Sequence, residues 1–314
     1  MGLPGQGLDD PSGQSFCLFG AIVAPTKARL TSMDLIIGLF LAMGVAYVVV
    51  KVRVDLHYQW NWGAIPQYLL RYDEGTGRWL PNLLLKGLFT TLRLSLWSML
   101  LAGLIGLVMG FARVSRGPFK RLLGQTYVET CRNLPPLVIV FIFYYFIGDQ
   151  LMPRLGLETL ARGLSPAVQF QLGLWVAPPE MLNAFISAVI SLAVFEGAYI
   201  TEIIRAGIQS IDQGQWEASQ ALGMTRRERM RHVILPQALQ RIVPPLAGQF
   251  ISTIKDSAIV SVISIQELTF QAMDIMTTTY LTFEIWITVT LLYLLLTLTC
   301  SLLARRLELA VSRR

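Results

Sequence analysis

Six ionisable residues lie in or at the edges of long apolar stretches of this 314-residue chain: Arg93, Glu196, Glu202, Lys255, Asp256 and Glu284. A charge inside a bilayer is costly, so such a group faces a cavity, a water-filled path or an opposite charge. The chemistry on offer is the binding of a charged or polar group rather than bond-making. The competing account for each is a structural ion pair or a side chain that snorkels to the interface. Glu202 and Arg205 are three apart on one helical face and can pair. Glu196 is six residues before Glu202 and points to a different face. That leaves Glu196 without a local partner, and an unpaired buried acid calls for a cavity, a cation or a positively charged ligand. Lys255 and Asp256 are adjacent and can pair locally or meet a neighbouring subunit. Tyr199, one helical turn from Glu196, fits packing better than ligand binding.

Catalytic patterns are absent from the sequence. There is no HExxH, no GxSxG and no GxxxxGK[ST], and no Gly-Lys pair occurs anywhere. A membrane-embedded enzyme and a self-contained ATPase are thereby disfavoured. Cys17, Cys131 and Cys300 are far apart and read as small apolar fillers. His57 and His232 are too isolated for a metal site, which normally wants three or four protein ligands.

The elements that must position these residues are membrane spans. The chain is 54% hydrophobic and only 15% charged, with a mean hydropathy of +0.53. A soluble domain carries about 25% charged residues. The net charge of +6 does not indicate nucleic acid, because the cations sit in gaps between apolar runs. Six spans are expected, over 35–50, 94–112, 136–148, 181–205, 242–265 and 285–304, the fifth interrupted by Lys255-Asp256. The fold class is therefore an all-α membrane protein. Residues 1–33 read as a loose tail. Residues 51–86, with Trp60, Trp62 and Trp79, read as an interfacial loop, and 149–180, with four prolines, as a second loop. Gly106-Leu-Val-Met-Gly110 would let another helix approach closely without saying which. No internal repeat supports the inverted-repeat design of many secondary transporters. One alternating set of connecting segments carries sixteen cations and the other seven, which puts both termini and the 206–241 segment in the cytoplasm.

That segment contains two helix starts. Asp212 precedes Gln215, and Thr225 precedes Glu228, by the three-residue spacing of a capping box. Gly223 stands where the first helix needs a stop, and Pro236 is expected to end or kink the second. The first helix would present Ala218, Ala221 and Leu222 on one side, a knob suited to a groove on another protein.

The run Glu217-Ala-Ser-x-x-x-Gly223 followed by Val233-x-Leu235-Pro236 resembles the EAA motif of ABC-importer permeases. Ser219 and Val233 replace the usual Ala and Ile. Tyr127-Val-Glu-Thr-Cys-Arg132, Ala198-Tyr-Ile-Thr-Glu-Ile-Ile-Arg-Ala-Gly207, Lys255-Asp-Ser257 and Gln266-Glu-Leu268 extend the resemblance to the polar amino-acid group, the histidine and glutamine permeases among them. It covers roughly residues 86–308 and departs at Arg132-Asn-Leu-Pro135, where Arg-Gly-Thr-Pro is usual.

The resemblance implies a type I ABC-importer transmembrane domain, a five-helix core plus one extra N-terminal helix. It implies a 1–33 tail, a 34–85 extra helix and periplasmic loop, a permease domain over 86–308 and a 309–314 tail. Coupling helices at 212–236 would dock on a pair of ATP-binding subunits through Glu217, Ala218, Ala221, Leu222, Gly223, Leu235 and Pro236. ATP and magnesium would sit on those subunits, with no cofactor in this chain. A second permease, identical or related, an extracytoplasmic amino-acid-binding protein and membrane lipid complete the implied partners, and nucleic acid is not among them. An amino-acid zwitterion offers both charges, to which Arg93, Glu196, Tyr199, Lys255 and Asp256 are the candidate path residues. A secondary transporter or channel for a small polar solute is the alternative, and it would need no coupling helix.

Overall fold

The computed structural model describes residues 32–55, 58–75 and 77–312. The expected tail over 1–33 falls almost wholly outside them. The chain divides into two compact units, Met1–Gln59 and Trp60–Arg314. In the first, α1 spans Ser32–Asp55. Its apolar part, Ser32–Tyr47, is shorter than the other apolar helices.

The second unit opens with α2 (Ile65–Leu69) and an antiparallel hairpin, β1 (Leu70–Asp73) and β2 (Arg78–Pro81). This hairpin is a small addition to a domain that is otherwise helical, as expected. Tyr72 lies directly opposite Trp79, the rings 5.4 Å apart edge to face, and the cross-strand aromatic pair stabilises the ladder. Gly77, at φ +64°, supplies the left-handed turn residue. The long helices follow: α3 (Leu83–Arg113), α4 (Pro118–Asn133) and α5 (Pro136–Phe143), which continues through a π-helical stretch, Tyr144–Leu151. Residues 149–180 are not a loop. They fold into α6 (Met152–Leu155), α7 (Leu157–Arg162) and α8 (Pro166–Trp175), the prolines lying in first turns, where a missing N–H costs little. Next come α9 (Leu182–Gln209), α10 (Gln213–Ala221), α11 (Arg226–Glu228), α12 (Leu235–Asp256), α13 (Leu268–Thr279) and α14 (Thr282–Ser312).

Among the described residues, five helices are long and apolar enough to cross a membrane: Leu83–Arg113, Pro136–Leu155, Pro179–Gln209, Arg226–Ile263 and Thr282–Arg306. The expected sixth, over 35–50, exists as a helix but is not among these five. The fifth expected span is longer than read from sequence, because Pro236 does not end a helix. A π-helical turn over Arg229–Ile234 widens the backbone just before it, and Pro236 then sits in the first turn of α12.

α9 is the most enclosed span, and α3 is its main partner. Along α3 the buried face reads Thr91, Ser95, Ser98, Ala102, Gly106 and Gly110, small residues three or four apart. In lipid there is no hydrophobic drive between helices, so close packing must supply the affinity. Gly106 and Gly110 receive Ile200 and Ile204 of α9. A Cβ at Gly106 would lie 2.5 Å from the Ile200 Cγ2, and one at Gly110 would lie 2.8 Å from that of Ile204. The GxxxG partner left open by the sequence is thus α9.

Candidate functional site

The hook over 212–236 is built from local sequence rules. Asp212 caps α10 by accepting the Gly214 N–H at 2.7 Å. The expected reciprocal bond from Gln215 is not made; its side chain accepts from Gln237 at 3.2 Å instead. At Thr225 the full capping box forms, the Glu228 carboxylate accepting the Thr225 N–H at 2.8 Å while the Thr225 hydroxyl accepts the Glu228 N–H at 3.4 Å. Between them Gly223 adopts φ +73°, the left-handed conformation that lets the chain reverse at the end of α10.

This reversal displays the knob. Ser219 is buried beneath α10, whereas Glu217, Ala218, Ala221 and Leu222 are exposed, and Leu222 is 80% accessible. Leu222 and the two alanines thus leave a small apolar tip open to another surface. Leu235 and Pro236 lie elsewhere, at the entry to α12, and Gln237, one residue on, donates to Gln215.

The candidate path residues do not form one cluster. Glu196 is fully buried on α9 and accepts from the Gln249 amide of α12 at 2.6 Å through Oε2. It therefore has a partner the sequence reading missed, fifty-three residues away. Its Oε1 meets no donor. Thr253 and Asp256, one and two turns further along α12, flank the carboxyl, and the Thr253 hydroxyl is committed to the Gln249 carbonyl at 2.9 Å. Lys255 is exposed and turned away from this seam. Tyr199 stacks edge to face on Phe195 at 5.2 Å and lies under the Arg132 guanidinium at 5.4 Å, a packing role. Arg93 donates to the carbonyls of Gly173 and Leu174 and to Thr90 at 3.0 Å. It closes the C-terminus of α8, and no hydrogen bond or ion pair joins it to Glu196. Glu202 pairs with Arg205 as expected and also with Arg113 of α3 at 3.1 Å.

Glu267, named in the sequence only within Gln266-Glu-Leu268 and given no role, is held by four donors. Fully buried between α12 and α13, it accepts from the Thr269 N–H (2.9 Å), the Phe270 N–H (2.8 Å), the Tyr293 hydroxyl (3.0 Å) and the Thr91 hydroxyl (3.2 Å). It caps α13 and ties α3 to α14. Little in the sequence signalled this, because glutamate is not among the usual N-cap residues. Of the cysteines, Cys131 is buried and free, and burial pushes its thiol pKa up, as for an inert filler. Among the described residues no group of His, Cys, Asp and Glu could hold a metal ion.

Residues 102–313 match the family model described as binding-protein-dependent transport system inner membrane component. The chain is 32% identical over 231 residues to the probable glutamine ABC transporter permease protein GlnM of Bacillus subtilis (strain 168), covering 72% of this chain and 94% of that protein. It is 34% identical to the glutamine transport system permease protein GlnP of Escherichia coli (strain K12), with 72% and 91% covered. Among solved structures, an amino acid ABC transporter crystallised with histidines matches at a TM-score of 0.61 and 32% identity, over 80% of this chain and 99% of that one. An inward-facing MetNI methionine ABC transporter shares the fold at a TM-score of 0.55 and 21% identity, over 73% and 96%. The fold is that of the type I ABC-importer permeases, and the chain belongs to the family of binding-protein-dependent transport system inner membrane components.

Proposed function

We propose that this chain is the permease subunit of an ATP-driven importer of a polar amino acid. It forms the translocation path and transmits ATP hydrolysis from a separate subunit pair through the α10 hook. The observation that carries the reading is the hook itself: a capped nine-residue helix that exposes Ala218, Ala221 and Leu222 and closes on a left-handed Gly223. An apolar knob held this rigidly fits a groove on a partner. ATP and magnesium belong to that partner. A second permease, identical or related, completes the path, and an extracytoplasmic binding protein delivers the solute. Both termini face the cytoplasm, on the sixteen-to-seven cation imbalance.

The substrate path runs along the α9–α12 seam, where Glu196 leaves Oε1 free for a substrate ammonium. Asp256 flanks the same carboxyl and adds to its attraction for a cation. The relatives' names, glutamine permeases among them, support the substrate class.

The test is reconstitution in proteoliposomes with the ATPase and binding-protein subunits, reading ATP-dependent uptake of labelled glutamine, glutamate and histidine. Leu222→Asp and Gly223→Val should leave the chain inserted while co-purification of the ATPase and uptake both fall. Wild-type coupling in both variants would remove the hook from the mechanism. Uptake that proceeds without any ATPase would favour a secondary transporter.

A further inference from the structure

The turn from α3 into α4 carries a surface that the transport reading does not use. Arg116, Lys120 and Arg121 are all exposed there, and none has an acidic partner among the described residues. Interleaved with them, Phe119 is 76% accessible, Leu122 62% and Leu123 50%. The opposite face of α4, with Gly124, Val128 and Cys131, is buried against the rest of the domain. The exposed face of the turn and the first turns of α4 is therefore apolar and cationic at once, with Gln125 and Glu129 following further along the helix.

Its depth can be read from the packing. A Cβ on Gly124 would lie 2.7 Å from the Arg113 side chain and 3.1 Å from the Met109 carbonyl. Gly124 is thus level with the end of α3, where the apolar run that began after Arg93 gives way to charge. Leu122 and Leu123 are one or two residues from that level. Lys120 and Phe119 are four and five residues beyond it, about 6–8 Å at the rise of an α-helix. A headgroup layer is about 5–7 Å deep on each side of the hydrocarbon. With α4 running along the membrane normal, the leucines reach acyl chains while the cations stand among phosphates. The apolar row is continuous with the outward face of α3, where Leu104, Leu107 and Val108 are also exposed.

We propose that the α3–α4 turn binds the headgroup of an anionic phospholipid in the cytoplasmic leaflet, with Arg116, Lys120 and Arg121 as its phosphate ligands and Phe119, Leu122 and Leu123 seated among the acyl chains. Charge complementarity selects this occupant: the patch is wholly cationic, and anionic lipid is the abundant negative partner at that depth. The inference rests on the orientation proposed above, which puts the α3–α4 turn on the cytoplasmic side. It does not depend on which solute is carried.

The experiment places the permease, bound to its ATPase subunit, in vesicles doped with spin-labelled phosphatidylglycerol or spin-labelled phosphatidylcholine, and measures the motionally restricted fraction of each. The wild type should hold phosphatidylglycerol in preference. The triple variant Arg116→Gln, Lys120→Gln, Arg121→Gln should lose about fivefold or more of that preference. The charge-conserving set Arg116→Lys, Lys120→Arg, Arg121→Lys should retain it, which separates charge from folding. An Arg305→Gln, Arg306→Gln pair, also at the cytoplasmic end, should leave most of the preference intact. Equal selectivity in the triple variant and the wild type would overturn the proposal. So would a preference that appears in the isolated permease and vanishes when the ATPase binds, since the patch would then be a protein contact.

Discussion

Two junctions of the helical domain each seal a glutamate from solvent, and they hold it in opposite ways. At the α3–α13–α14 junction, Glu267 receives four donors, two from backbone and two from hydroxyls. At the α9–α12 seam, Glu196 receives one, from Gln249, and leaves one oxygen unanswered. A buried carboxylate with donors on both oxygens braces structure. One with a free oxygen beside a second acid is poised for a positive group that the resting chain does not supply. Burial alone would have ranked the two as equals; the donor inventory separates a strut from a candidate binding group.

The sharpest way to break the comparison is the same substitution at both places. Glu267→Gln puts an NH2 group in place of Oε1, where the Phe270 N–H donates, or of Oε2, where the Thr269 N–H and two hydroxyls donate. At least one buried donor then faces another donor, and each unsatisfied group costs about 1–3 kcal/mol. A loss of about 3 kcal/mol is expected, read as a lower thermal midpoint of the purified protein in detergent. Uptake should fall only in proportion to the folded protein that remains. A variant of wild-type stability would show that Glu267 is no strut.

A second change approaches the same junction from α3. A Cβ at Gly87 would lie 2.9 Å from the Leu268 Cα and 3.1 Å from the Glu267 carbonyl oxygen. Both are backbone atoms that cannot turn aside. Gly87→Val should push α13 away from α3 and cost about 2 kcal/mol in the same thermal assay. Tyr293→Phe removes one hydroxyl from the network, leaving three donors on Glu267, and should cost about 1 kcal/mol. An additive cost when the last two are combined would indicate independent sites. A smaller combined cost would show that they loosen one shared network.

The two junctions also mark what the sequence could and could not convey. The hook was legible because its rules are local: Thr225 and Glu228 three apart, and a glycine at the helix stop. The α3–α9 zipper was half legible. Gly106 and Gly110 advertised a close approach, but the identity of Ile200 and Ile204 as its partners is a long-range fact. The short helices over 152–175 were hidden because proline reads as a breaker, although it suits first turns. The run through Pro236 was hidden for a related reason, since a π-helical turn is not encoded by any single residue. The donor to Glu196 comes from a residue 53 positions away, and the two hydroxyls on Glu267 from residues 26 and 176 positions away. Only packing could assign these, and so the sequence flagged Glu196 as unpaired and gave Glu267 no role.

The smallest effect on stability, and the one that decides the function of the seam, is expected from Glu196→Gln. The amide oxygen can still accept from Gln249 at the present 2.6 Å position. The new NH2 group then occupies the place of the free Oε1 and can donate toward Asp256, the acid that flanks it. A buried charge is removed and an orphaned acceptor is replaced by a donor with a neighbour to receive it. Stability should therefore change by less than about 1 kcal/mol, in either direction. Transport should not be spared in the same way. If Oε1 receives the substrate ammonium, the variant replaces a charge-assisted bond with the approach of one donor to another. Losing such a bond is worth about 1.5–3 kcal/mol, so uptake should fall roughly tenfold or more while the ATPase still co-purifies. The measurement is ATP-dependent uptake in proteoliposomes across glutamine, glutamate, histidine and arginine, at matched amounts of folded complex. Unchanged uptake of every one would place Glu196 with Glu267 among the struts, and the difference between the two junctions would then be one of construction alone.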